Sequence, residues 1–221
     1  MDWNIRQAEC SQGHTTFGPV TTSCNERPAR VNAMGKSMLS FDVHTIETAP
    51  EAAKPLLQRS RELYGGMIPN LHGVMAEAPP LLEAYQALNK IFDRTTLTTA
   101  ERNIVWLAVN YVNECTYCMA AHSVVAKHSS LSDADIAALR DGRPLADQKH
   151  QTLRAFAAHM VEARGWPDDA QIAALLEAGY NKAILLEVIL AIGMKTLSNY
   201  TNHIAGAPVD PAFEEYAWEK P

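Results

Sequence analysis

Asn113-Glu114-Cys115-Thr116-Tyr117-Cys118-Met119-Ala120-Ala121-His122 holds two cysteines three apart and a histidine four residues beyond the second. Just upstream, Thr98 with Glu101 three residues later has the form of a capping box. Ile104, Val105, Trp106, Leu107, Val109 and Val112 follow, a helix apolar on nearly every side and hence buried. It delivers the chain directly to Cys115. Where a helix carries this stretch, Cys115, Cys118 and His122 share a face. Helical spacing sets Cα atoms three residues apart at about 5–5.5 Å, within the window of about 4.4–6.8 Å that a disulfide needs. The pair can then close and reopen without unwinding the helix. Free N–H groups at a helix start favour a thiolate, as does a nearby imidazole, so the stretch reads as a reactive-thiol site.

Two other readings of the cysteines stand beside this one. A zinc site would want a second Cys/His pair, with His128 or Glu114 as a fourth ligand, and no second CxxC or HxxxH follows. Two inert cysteines packed as small hydrophobes form the other. Redox chemistry is the favoured reading, with no metal and no cofactor.

Outward from this stretch the pattern is helical from Pro50 onward. Leu56, Leu57, Leu63 and Tyr64 make an apolar stripe closed by Gly65-Gly66. A short segment spans Asn70 to Ala76, and Pro79-Pro80 opens a helix through Leu82, Tyr85, Leu88 and Phe92. The cysteine helix is expected to run to about His128. Ser132 caps a short helix ending at Asp141-Gly142, another carries Leu153, Phe156 and Met160, and Asp168 or Asp169 starts a further one. A last helix, from about Asn181 to His203, is the most apolar after the one before the cysteines. No convincing strand pattern appears, so the class is all-α. Residues 38–221 form the domain. Residues 1–37, rich in Gly, Pro, Ser, Thr and Asn, read as a poorly ordered extension, and Cys10 and Cys24 within it are assigned no chemistry.

The 221 residues carry a formal net charge of −6 with no basic run, which argues against a nucleic-acid partner. The longest apolar run, Ala183 to Met194, is interrupted by Glu187 and too short to span a bilayer, so no membrane partner is expected. No charged start followed by an apolar stretch opens the chain, and the cytoplasm is the expected location. In that reducing setting a CxxC is more often catalytic than structural.

The run Leu97-Thr98-Thr99-Ala100-Glu101-Arg102-Asn103-Ile104-Val105-Trp106-Leu107-Ala108-Val109-Asn110, followed by Glu114 to His122, resembles the carboxymuconolactone decarboxylase/alkylhydroperoxidase D (AhpD-like) superfamily. Lys195 to Ala205, then Pro208-Val209-Asp210, looks like one branch of it. The resemblance implies an AhpD-like helical bundle and a homo-oligomer. It also implies a hydroperoxide substrate reduced at the expense of a dithiol or protein thiol, with Cys118 peroxidatic, Cys115 resolving and His122 in the proton relay. The residues support the same chemistry: a thiolate attacks O–O, an acid protonates the leaving alkoxide, and a second thiol resolves the sulfenic acid.

Two positions depart from the AhpD pattern. Tyr117 replaces a histidine between the cysteines, and Asn103 replaces a relay glutamate twelve residues before the first cysteine. An amide has no proton to exchange near neutral pH, so a slower peroxidase is expected. Glu101 lies about 200° around the helix from Asn103 and does not substitute for it. Glu114 beside Cys115 is a possible replacement acid. The polar cluster Asn199 to His203, above all Asn202 and His203, is a second place where pocket residues are expected. A redox sensor using the same pair without turnover is the alternative. Lactone decarboxylation, which uses no cysteine pair, is a further one.

Overall fold

Thr98 starts the helix on which most of the bundle packs. Its hydroxyl accepts from the Glu101 N–H, while the Glu101 carboxylate accepts from the Thr98 N–H at 2.8 Å. This closes the box read from the sequence. The computed structural model describes residues 40–221, so the extension read at 1–37, with Cys10 and Cys24, lies outside the described residues.

Nine α-helices and no strand occur among the described residues: α1 Lys54–Leu63, α2 Asn70–Met75, α3 Pro79–Phe92, α4 Thr99–Val112, α5 Thr116–Ala126, α6 Asp133–Asp141, α7 Gln148–Glu162, α8 Asp169–Glu177 and α9 Lys182–Ala205. Short 3₁₀ segments lie at Glu51–Ala53 and Pro211–Tyr216. The all-α class follows. Four further helix starts carry small polar caps, with Ser132, Asp147, Asp168 and Asn181 each accepting a backbone N–H of the first turn.

α4 is apolar all round because it has a core on each side. Val105, Ala108 and Val109 enter the main core with Leu57, Leu82, Phe156 and Val188, while Ile104 and Leu107 enter a second cluster with Met119, Leu139 and Trp218. It packs on α5, α6, α7 and α9, and α9 is covered in turn by α2 and α3. Two expectations shift. Leu63, read into the α1 stripe, is exposed, because the last turn of α1 buries Ser60 against His72 and Gln86 and turns Leu63 to solvent. α9 at 24 residues is long and apolar enough to cross a membrane by length and composition. Yet the face it turns inward carries Lys195, Ser198, Asn199 and Asn202, all buried against the bundle.

Candidate active site

Between α4 and α5 the chain turns within three residues, and this turn was not legible beforehand. Glu114 sits in the left-handed region at φ 56°. The Cys115 N–H donates to Asn110 O at 3.1 Å and the Glu114 N–H to Tyr111 O at 3.2 Å. This is the Schellman pattern, whose left-handed position is usually glycine. α5 therefore begins at Thr116, with Cys115 as its N-cap and Cys118 in the first turn. Cys115, expected on the helix with Cys118, caps it instead, and the two sulfurs still meet. Both are buried free thiols that hydrogen bond to each other.

Lys195 sits against this pair. It is fully buried, and its Nζ lies 2.7 Å from His122 Nε2. Burial pushes the lysine's pKa down, and the two cysteines pull it back up. Burial alone would also raise the Cys118 thiol. The hydrogen bond from Cys115, the Lys195 charge and hydrogen bonds from Asn199 and Ser198 together outweigh that and bring it down to about 6. Cys115 moves the other way, first because its S–H serves the Cys118 sulfur and then because it is buried. Cys118 is thus the thiolate of the pair. His122 is held well below its ordinary value, by burial and then by the Lys195 charge, and is a neutral imidazole. Lys195 has only hydrogens to offer, so Nε2 accepts and the ring proton sits on Nδ1.

A run of amides positions α9 on the site. Asn113 Nδ2 donates to Asn199 Oδ1 at 2.8 Å, Asn199 Nδ2 to Asn110 Oδ1 at 3.0 Å, and Asn110 Nδ2 to Cys118 O at 3.1 Å. Tyr117 is tied elsewhere: its hydroxyl donates to Asp210 at 2.6 Å, and Asp210 also accepts the Asn70 N–H. Its place is structural, joining α5, α2 and the C-terminal segment. Glu114 faces Lys220 Nζ at 3.0 Å near the surface. Asn202 is buried on α9, while His203 is exposed with its ring stacked 6.0 Å from Tyr200. Asn103 and His122 line one cavity without a hydrogen bond between them, since Asn103 Nδ2 donates to Thr99 O at 2.8 Å. Lys195 was missed as a site residue. Its signal was a single cation inside the apolar face of α9.

The cavity holds about 260 Å³ between α2, α3, α4, α5, Met194 and Phe213. Neither cysteine is among its lining residues, while Tyr117 and His122, which are, stand on either side of Cys118 along α5. Tyr85, another wall residue, is near enough for a charge on either sulfur to raise its pKa, although burial is the larger cause. No group of three or more His, Cys, Asp or Glu side chains suited to a metal ion occurs among the described residues.

Residues 79–158 match the model described as the carboxymuconolactone decarboxylase family. No curated protein matches the chain. Solved structures do. An uncharacterized peroxidase-related protein from Ralstonia eutropha JMP134, described as an alkylhydroperoxidase AhpD core, superposes with a TM-score of 0.70 at 19% identity, covering 78% of this chain and 93% of that one. An uncharacterized peroxidase-related protein from Silicibacter sp. TM1040 gives 0.67 at 20% identity, covering 83% and 97%. A cysteine-to-alanine variant of the debrominase Bmp8, in complex with 2,3,4-tribromopyrrole, gives 0.66 at 17% identity, covering 81% and 97%. At these identities the likeness is one of fold.

Proposed function

We propose that this chain, whose residues 79–158 match the carboxymuconolactone decarboxylase family, is a thiol-dependent reductase of organic hydroperoxides. The observation that supports this most is the buried lysine set between a CxxC pair and a neutral histidine. The Cys118 thiolate attacks the terminal oxygen of R–O–OH. The S–O bond forms, the O–O bond breaks, and Cys118 becomes a sulfenic acid while RO⁻ leaves. Lys195, in contact with His122, supplies the proton that makes ROH. The Cys115 thiol then attacks the sulfenic sulfur, releasing water and closing the disulfide. An external dithiol or protein thiol reopens it, which suits a reducing compartment such as the cytoplasm.

The same reading includes a homo-oligomer. α9 presents Leu186, Leu190, Gly193, Leu197, Tyr200 and Ile204 at alternating spacings of four and three, a seam pattern. Leu186, Tyr200 and Ile204 on it are more than half exposed.

The reductase reading is tested by following tert-butyl hydroperoxide consumption with dithiothreitol as reductant. Multiple turnovers are expected, lost in Cys118→Ser, while Cys115→Ser accumulates a sulfenic acid trapped by dimedone. A single oxidation event with no further turnover would replace the enzyme by a redox sensor.

A further inference from the structure

The cavity is much larger than hydrogen peroxide requires. A water takes about 30 Å³ of liquid, so two oxygens need about 60 Å³ against the roughly 260 Å³ present. Its walls are rings. Tyr64 and Tyr85 meet His72 edge-on with centroids 5.4 and 5.5 Å away, Trp106 leans on His122 at 4.8 Å, and Tyr117 meets Phe213 at 6.2 Å. Charge at the rim is already partnered. Arg102 donates to Leu97 O at 3.0 Å and to Thr99 Oγ1 at 3.2 Å, and stands 4.0 Å from Asp93. Arg102 and Asp93 both line the cavity and stand against each other, so the lining carries no net formal charge.

Three of the lining residues, each at least nine-tenths buried, carry a polar atom with no hydrogen-bond partner among the described residues. They are Asn103 Oδ1, Trp106 Nε1 and His122 Nδ1. The Asn103 amide is oriented by its bond to Thr99 O, so the oxygen is the end left over. Lys195 occupies His122 Nε2, so Nδ1 holds a hydrogen. Trp106 and His122 are in ring contact, and Asn103 is one turn before Trp106 on α4. Two donors and one acceptor are the complement of a hydroxyl, whose oxygen accepts twice and donates once.

We propose that this cavity binds a neutral, single-ring aromatic molecule with a hydroxyl-type head, and that the hydroperoxide reduced by this protein carries an aryl group. The second clause rests on the reductase reading. The ring packs among Tyr64, Tyr85, Trp106 and Phe213, and the head donates to Asn103 and accepts from His122 and Trp106. The alcohol product keeps that head, so it binds without any turnover.

Titration calorimetry on the reduced full-length protein tests the site with 2-phenyl-2-propanol, tert-butanol and benzoate. The aromatic alcohol is expected to bind at least about 10-fold tighter than tert-butanol. Benzoate is expected to bind more weakly than the aromatic alcohol, and Asn103→Leu to weaken that alcohol about 10-fold. Affinities for the two alcohols within about 2-fold, or benzoate the tightest, would overturn the proposal. The wild-type comparison decides this even where Asn103→Leu does not fold. Turnover of cumene hydroperoxide separates the two readings. Aromatic binding without turnover removes the reductase and leaves the site. Turnover with equal kcat/KM for cumene and tert-butyl hydroperoxides removes the aromatic site and leaves the reductase.

Discussion

Burying Lys195 completely penalises its charged form, and the neighbouring thiols are what offset that penalty. The exchange is mutual. Replacing the lysine by methionine keeps the volume and removes the charge, so Cys118 loses one of the groups that hold its thiol near 6. In Lys195→Met the midpoint of Cys118 alkylation should climb toward the ordinary cysteine range of about 8.5, and iodoacetamide labelling at pH 7 should slow by roughly 10–30-fold. An unmoved midpoint would leave Cys115, Asn199 and Ser198 as the causes. Position 103 is the other single-residue test. A glutamate there would face the cavity that His122 lines, with a proton to exchange where the amide has none. Asn103→Glu should raise peroxide turnover about 10-fold, part of the usual gain from general acid–base help. A rate unchanged across pH 6–8 in a folded variant would take this position out of the relay.

At the scale of elements, the site depends on how α5 is held. Its first turn carries Tyr117 and Cys118 together, and the Tyr117 hydroxyl is fastened to Asp210, which also caps α2. That carboxylate raises the Tyr117 pKa further after burial has done so, keeping the phenol protonated and a donor. Tyr117→Phe should destabilise the protein by about 1.5–3 kcal/mol, the usual range for a hydrogen bond to a charged group. Thermal unfolding would read this as a fall of several degrees. A change under about 0.5 kcal/mol would mean that Asn70 alone secures Asp210. The same variant should leave the alkylation midpoint of Cys118 in place, since Tyr117 is not among the groups that lower it.

For the whole molecule, α9 is both the back wall of the site and an outer surface. Sedimentation should show a species larger than a monomer at micromolar concentration, and Leu186→Glu with Ile189→Glu should return it to one chain. Both side chains are at least half exposed, so the pair should leave the monomer fold intact. A wild-type monomer would rule the oligomer out. Acid stability is a second property of the whole. Buried His72 is held by desolvation at about 4, against an ordinary value near 6.5. Between those values the unfolded chain takes up a proton that the native histidine refuses. Stability is therefore full above pH 6.5 and falls as pH drops toward 4, by on the order of 3 kcal/mol from this residue. The drop in Tm across that window should shrink in His72→Gln. An equal drop in both proteins would assign acid sensitivity to other groups.

Helix starts were legible because capping is local: Thr98 and Glu101, or Ser132 and Asp135, satisfy each other within one turn. The CxxC pair was legible for the same reason, three residues being all that separates its sulfurs. The end of α4 was not, because Glu114 occupies a left-handed position without the glycine that would announce it. Periodicity marked α4 and α9 as buried, and it said nothing of which neighbours they meet. A helix apolar all round has no preferred face until its partners are set. So the sequence by itself determined the all-α class, the helix starts at Thr98, Ser132, Asp168 and Asn181, and the thiol pair. Only tertiary packing brought Lys195 to His122 across 73 residues and Asn199 to Asn110 across 89. A buried cation acquires a role only from the groups packed against it, and those groups come from other helices.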